Sequence, residues 1–488
     1  MIKEEMISKI NKAIDDSKEK VRQDYYRLKY HLMPTVGFMN DPNGFIVING
    51  EYHLFYQFNP FYPQEKCVCW AHVKSKDLVN WEALPLALLP LEWYETHGCY
   101  SGSAVNHDGI FTLMYTGNVK NSDGTRETYQ CLAESKDGVE FVKNKNNPVI
   151  YNQPEGYTRN FRDPKLWKNN GIWYMVIGTQ TEKKQGTTLL YKSTDLLKWL
   201  EVGEVSSSKD GDLGFLGYMW ECPNLFSIDG MDILLFCPQG VQAKGNLYNN
   251  IYQCGYLMGS LNYNTGKLKH GDFVELDRGF EFYAPQITVD NNGRTLMVGW
   301  LGLPEEEESP TKVNKWMHCL TIIRELFIMD NKLCQRPANE MKLLRKNKIT
   351  YDDVKLSSSG VKLPNVNGDS YELICEFTYE GASVFGLKLR GYDCEDQGTI
   401  LYYQAGNESL TLNRGKSRFC EVGIRSCYVK NTGKLKIHIF MDKSSIEIFV
   451  NDGKETFTSR IYPQKENKEI ILFSENKDVK ANVKFWNI

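Results

Sequence analysis

Three acidic residues stand out by their setting. Asp41 lies in Asn40-Asp41-Pro42-Asn43-Gly44, Asp163 in Arg162-Asp163-Pro164, and Glu221 in Trp220-Glu221-Cys222-Pro223. Two carboxylates facing one pocket with aromatic side chains is the layout of glycoside hydrolysis. One stays ionised to attack or stabilise an oxocarbenium-like centre, while the other holds a proton for the leaving group. The neighbours suggest a division of labour. Backbone and amide donors around Asp41 would keep it ionised, and Arg162 would do the same for Asp163. Met219, Trp220 and Cys222 would raise the pKa of Glu221 if they enclose it. The expected roles are nucleophile for Asp41, acid/base for Glu221, and a fixed anion that binds sugar hydroxyls for Asp163. Taken singly, each has a plainer reading: a turn aspartate, half of an ion pair and a surface glutamate.

What joins them is an internal repeat. Five segments share one plan: NDPNGFIVINGEYHLFYQF, YSGSAVNHDGIFTLMYTGN, RDPKLWKNNGIWYMVIGTQ, ECPNLFSIDGMDILLFCPQG and YAPQITVDNNGRTLMVGWLG. Each has a small or Pro-containing corner, an apolar strand, a Gly-containing turn and a second apolar strand, which is a hairpin signal. Aligned on Pro42, Ser103, Pro164, Pro223 and Pro285, the steps are 61, 61, 59 and 62 residues. SKDLVNWE, SKDGVEFV and STDLLKWLE recur between the hairpins as outer strands. About sixty residues holding four strands is one propeller blade, and five blades close a ring around a channel. A solenoid of the same units would typically have shorter repeats. The first strand of each blade lines the channel, so the three acids share a register and face one funnel.

The rest of the chain frames that ring. The first 30 residues read as an amphipathic helix with Ile2, Met6, Ile10, Ala13, Ile14, Val21, Tyr25 and Leu28 largely on one face. The propeller spans 31–336 and residues 337–352 read as a linker. Residues 353–488 alternate as short strands, among them SYELICEFTY, SVFGLKLRGY, TILYYQAGN, KLKIHIFMD and SSIEIFVND, which points to a β-sandwich. The fold class is therefore all-β: a five-bladed β-propeller, then a C-terminal β-sandwich, with a short N-terminal helix.

Composition excludes several classes. The chain has 488 residues, 12% of them aromatic, and a net charge of −3, so it is neither disordered nor a basic nucleic-acid binder. Its longest apolar run, near 84–91, is broken by proline and far short of a membrane span. The N-terminus is charged throughout and lacks the pattern of a signal peptide. Thirteen cysteines without framework spacing read as reduced thiols in a cytoplasmic protein. Cys67 and Cys69 have no second pair at zinc spacing, so no metal site is expected there. There is no Walker loop, GxGxxG, GxSxG or HExxH.

FMNDPNG at 38–44, FRDP at 161–164 and MWECPN at 219–224 resemble the motifs of glycoside hydrolase family 32, the β-fructofuranosidases. YHLFYQFNP at 52–60, WAHVKSKDLVNWE at 70–82, YSGSAV at 100–105, EFYAPQ at 281–286 and SSIEIFVNDG at 444–453 extend the resemblance into the sandwich. It implies a retaining double displacement at the fructose anomeric carbon, with no metal or cofactor. Asp41 would form the ester, Glu221 would be acid and base, and Asp163 would stabilise the transition state. Asn40, Gln57, Trp70, Tyr100, Ser101 and Arg162 would line the fructose subsite, with Phe38, Met39, Tyr283 and Trp300 as further sugar contacts. Tyr100, Met39 and Glu281 depart from the family's commoner Phe, Trp and Asp.

The charged N-terminal extension is similar to that of the bacterial branch acting on sucrose-6-phosphate. Arg159, Lys165 and Arg126 are the candidate phosphate ligands. The expected partner is a small sugar, with no nucleic acid or membrane, and a homo-oligomer would form through the sandwich. The alternatives are a general invertase or fructan hydrolase, an inverting arabinan or xylan hydrolase on the same plan, and a non-catalytic carbohydrate-binding propeller.

Overall fold

The computed structural model describes residues 2–209, 213–306, 308–381, 383–391, 398–415, 423–475 and 478–488. Five sheets of four or five strands follow one another along residues 37–337, and two six-stranded sheets follow them. The inner strands of the five blades are Gly37–Ile48, Cys99–His107, Tyr157–Asn169, Met219–Ile228 and Tyr283–Val289.

Turn chemistry explains the hairpins. At Asn49-Gly50, Asp108-Gly109, Asn170-Gly171 and Asp229-Gly230 both residues have positive φ, between 48° and 87°, as a two-residue hairpin turn requires. The fifth hairpin differs. Its strands pair up to Val289 and Thr295, so the turn is a wider loop, closed by the Gly293 N–H donating to the Asp290 carbonyl. The repeated outer phrase is also a turn device. Asp77, Asp137 and Asp195 each accept a bond from the serine two residues earlier and two backbone N–H bonds at 2.7–3.0 Å.

The ring closes between the fifth and first blades. Trp316–Met317 pairs in parallel with Gly37–Phe38 of the first blade, and Cys319–Leu320 pairs with the fifth blade. One short segment thus belongs to both ends of the ring. The N-terminal helix, Lys3–Arg22, covers this seam. Ile10 packs with Met39, Phe45 and Leu54, and Val21 packs with Trp316, Leu301 and Cys319. The helix stops short of the expected residue 30, and Tyr25 and Leu28 follow it in irregular chain. Among the described residues no helix is long and apolar enough to cross a membrane.

The first sandwich strand, Lys346–Lys355, begins inside the segment read as linker, after a 3₁₀ turn at Asn339–Leu344. Of the sandwich strands expected, only Tyr392 of SVFGLKLRGY lies outside the described residues. The two sheets enclose a core that includes Leu373, Phe385, Leu387, Ile439, Ile448 and Phe485. Apolar contacts of Phe440, Phe449 and Ile488 with Leu320, Ile322 and Ile323, and a buried charge network, join the sandwich to the propeller. Arg324 of the fifth blade is fully buried, with Nε 3.0 Å from Glu447 of the sandwich and Nη1 3.1 Å from Asp277. His31 bridges Asp442 and Glu447 at 2.9 Å each. Burial disfavours its protonation, but bonds to both carboxylates prevail and push its pKa up to about 9. Removing one member of such a network leaves a buried charge without a partner. Arg324→Ala is therefore expected to lower unfolding stability by about 3–5 kcal/mol, measured by chemical denaturation.

Candidate active site

All five inner strands carry a register shift at the same place in the repeat, next to the aligned column. A bulge of this kind bends a strand and re-aims its side chains. In three blades the residue before the proline has positive φ: Asp163 at 67°, Cys222 at 49° and Ala284 at 46°. Such conformations cost of order 1–3 kcal/mol for a residue with a side chain, and they cluster where side chains must be aimed. Here the inner strands open into a pocket of about 780 Å³ that contains Asp41, Asp163 and Glu221.

Asp41 sits in a closed ring of polar groups. Its Oδ2 accepts the Ser101 hydroxyl at 2.5 Å and its Oδ1 accepts the Asn40 amide at 3.1 Å. Gln57 completes the ring, donating to Ser101 at 2.8 Å and accepting from Asn40 at 2.5 Å. Even so, burial and the nearby Glu221 charge push Asp41 up to about 6 against those donors. The donors favour the ionised carboxylate and only partly offset its burial.

Glu221 is gripped on both oxygens. Oε1 accepts Nε and Nη2 of Arg162 at 2.9 and 2.6 Å; Oε2 accepts the Gln239 amide at 2.5 Å and the Tyr283 hydroxyl at 2.7 Å. The expected apolar enclosure is not there. Trp220 turns away to stack on Phe236 and donates its indole N–H to the Leu216 carbonyl, as strand alternation dictates. Met219 is buried and makes no hydrogen bond to the carboxylate.

Arg162 therefore serves Glu221 rather than its sequence neighbour. Its remaining nitrogen donates to Asn160 at 2.9 Å. Asp163 accepts the Cys222 backbone N–H at 3.1 Å, and burial together with the Glu221 charge pushes it up to about 7, with Arg162 only partly opposing. The Cys222 thiol lies 3.7 Å from an oxygen of Asp41 and of Asp163, so the two carboxylates converge on it. Burial and three neighbouring carboxylates hold that thiol protonated.

Most other expected residues also meet here. Phe38, Asn40, Gln57, Tyr100, Arg162, Tyr283 and Trp300 line the pocket, and the Trp300 indole N–H has no partner among the described residues. Ser101 is buried just beneath Asp41. Two expected sugar contacts are corrected. Met39 alternates with Phe38 and Asn40 and so points into the first-blade core. Trp70 is buried behind the wall, donating its indole N–H to the Tyr100 carbonyl at 3.2 Å.

Of the phosphate candidates only Arg126 reaches the pocket. Arg159 is paired with Glu127 at 3.0 Å, and Lys165 is buried elsewhere, donating to the Ile287 carbonyl at 2.7 Å. Gln239, Tyr218, Asn160 and Tyr62 line the pocket and were not anticipated. Gln239 could have been found, because the repeated hairpin puts it opposite Met219, two residues from Glu221.

Two family models match the chain end to end: the glycosyl hydrolases family 32 N-terminal domain over residues 31–337 and the family 32 C-terminal domain over 340–487. The chain belongs to glycosyl hydrolase family 32. As a family 32 glycoside hydrolase it is similar to the sucrose-6-phosphate hydrolase of Bacillus subtilis, 41% identical over 95% of each chain. It is 36% identical to the raffinose invertase of Escherichia coli over 92% of each chain. Among solved structures, the sucrose-6-phosphate hydrolase of Lactobacillus gasseri superposes with a TM-score of 0.88 at 33% identity, covering 98% of this chain and 96% of its own. A family 32 β-fructofuranosidase of Bombyx mori in complex with sucrose gives 0.87 at 33% identity, covering 99% and 98%.

The Arg162–Glu221 contact uses two nitrogens on one oxygen, a geometry that an ammonium cannot reproduce. Arg162→Lys is expected to lower kcat/KM by about 10²-fold with the fold intact, because a small misplacement in the site suffices. Steady-state kinetics beside a circular dichroism spectrum checks this.

Proposed function

We propose that this family 32 enzyme hydrolyses the fructosidic bond of sucrose-6-phosphate, and of sucrose, with retention through a fructosyl ester on Asp41. The observation that carries the reading is the similarity to curated sucrose-6-phosphate hydrolases across 95% of the chain. The carboxylate cluster required for the reaction lies in one pocket.

Asp41 is the nucleophile in this reading. Its ring of Asn40, Gln57 and Ser101 fixes the carboxylate's orientation, so the attacking oxygen is preorganised. Glu221 protonates the leaving sugar oxygen and then activates water, with Arg162, Gln239 and Tyr283 holding it in place. Asp163 accepts hydrogen bonds from fructose hydroxyls as positive charge develops at the anomeric carbon. The similarity to a raffinose invertase and to a sucrose-bound β-fructofuranosidase supports action on the unphosphorylated sugar as well. A cytoplasmic location belongs to the same reading. The eleven described cysteines are buried free thiols, which suits a reducing compartment, and Cys394 and Cys420 lie outside the described residues.

Four outcomes are expected. Wild-type kcat/KM should favour sucrose-6-phosphate over sucrose by tenfold or more, about 1.4 kcal/mol of discrimination; equal values would leave a general invertase. Glu221→Gln should lose most of its activity on sucrose but far less on an aryl fructoside, whose leaving group needs no proton; equal losses would remove Glu221 as the acid. Because Asp41 attacks only when ionised, kcat/KM should fall as pH drops through about 6. Ser101→Ala removes a donor that favours the carboxylate, so this acid limb should move to higher pH; an unmoved limb in the pH profile would assign it to another group.

A further inference from the structure

The rim of the pocket carries positive charge that no ion pair among the described residues neutralises. Lys120 and Arg126 are direct cross-strand partners at the tip of the second-blade hairpin, formed by Ile110–Lys120 and Arg126–Ser135. Like charges placed opposite one another across an antiparallel pair destabilise it. Lys66, from the loop between the second and third strands of the first blade, lines the pocket together with Arg126.

The acids nearest in sequence are all engaged elsewhere. Glu65 pairs with Lys9 at 2.8 Å, Glu127 pairs with Arg159 at 3.0 Å, and Asp123 bonds the hydroxyl and backbone N–H of Thr125 within its own turn. Among the described residues Lys66, Lys120 and Arg126 form no ion pair. Burial and the charges of Lys120 and Arg126 hold the Lys66 ammonium below its ordinary pKa, so the three cations repel one another. Arg126 is also tied to the sugar site. Its guanidinium lies 5.6 Å from the ring centre of Tyr100, which lines the same pocket.

Two blades thus bring three cations together: Lys66 and Arg126 line the pocket that holds Asp41, and Lys120 lies beside them. We propose that Lys66, Lys120 and Arg126 form an anion site that binds the phosphate monoester of the leaving sugar and sets the preference for a phosphorylated substrate. The assignment of the anion to the substrate rests on the reading given under Proposed function; the anion site itself does not. A dianion would relieve the mutual repulsion, and the Arg126 fork suits two phosphate oxygens while the lysines act as point charges.

Arg126→Gln, Lys66→Gln and the double variant separate the possibilities, using kcat/KM for sucrose-6-phosphate and sucrose together with inhibition by inorganic phosphate. All three positions are at the rim, and circular dichroism confirms that the variants fold. The expected result is at least a tenfold fall in the sucrose-6-phosphate to sucrose ratio for Arg126→Gln, carried by KM. A larger fall is expected in the double variant, with phosphate inhibition weakened in parallel. Variants that keep the wild-type ratio and phosphate inhibition, or that lose both substrates equally, would overturn the site. A wild type without preference whose phosphate inhibition still depends on Arg126 would keep the anion site and remove the phosphosugar reading. Absence of both would remove both.

Discussion

Three carboxylates buried around a single guanidinium is the constraint on which the rest of this molecule depends. Asp41, Asp163 and Glu221 repel one another, and each loses solvation as the pocket closes over it. Arg162 grips only one of them, Glu221, by a two-nitrogen contact, and its charge only partly offsets the rise of Asp163. The other two sit at about 6 and about 7, where proton occupancy responds to small changes in surroundings. That imbalance is destabilising for a fold and useful for a reaction that moves protons near neutrality. It persists because the scaffold over-determines the positions of these side chains.

The scaffold does so by repetition. Each inner strand is bulged at an equivalent residue, and in three blades the backbone there is held at positive φ. A strand whose neighbours could slide would relax such strain. Here the ring is locked by the Trp316–Leu320 segment, which pairs with both the fifth and the first blade. The helix Lys3–Arg22 packs over the seam, and the sandwich is clamped to the fifth blade through Arg324, Glu447, Asp277 and His31. The charged network far from the pocket therefore serves the same end as the apolar core: it leaves the five strand starts no freedom to spread.

Much of this was legible in the sequence because the repeat is long and regular. A period of about sixty residues with Gly-containing turns at fixed offsets gives blade number, hairpin pairing and the common register of the acids. Side-chain direction was less legible. Arg162 is adjacent to Asp163 in sequence yet serves Glu221, because successive side chains diverge at a bulge. Trp220 precedes Glu221 yet leaves it to Arg162, Gln239 and Tyr283, because a strand alternates its faces. Lys66 and Tyr62 belong to a loop that has no periodicity to read, so only the folded chain reveals them at the pocket. The opposition of Lys120 and Arg126 was implicit in the hairpin, but its meaning needed the position of the neighbouring acids.

The double displacement requires a carboxylate oxygen of Asp41 to take up the sugar. The direct measurement is rapid acid quench of the Glu221→Gln enzyme during turnover of an aryl fructoside, followed by peptide mapping by mass spectrometry. A fructosyl adduct on the peptide containing Asp41, absent from Asp41→Asn, is the expected result. An adduct on Asp163 would contradict the assignment. Turnover with inverted product and no adduct on any peptide would contradict the double displacement itself.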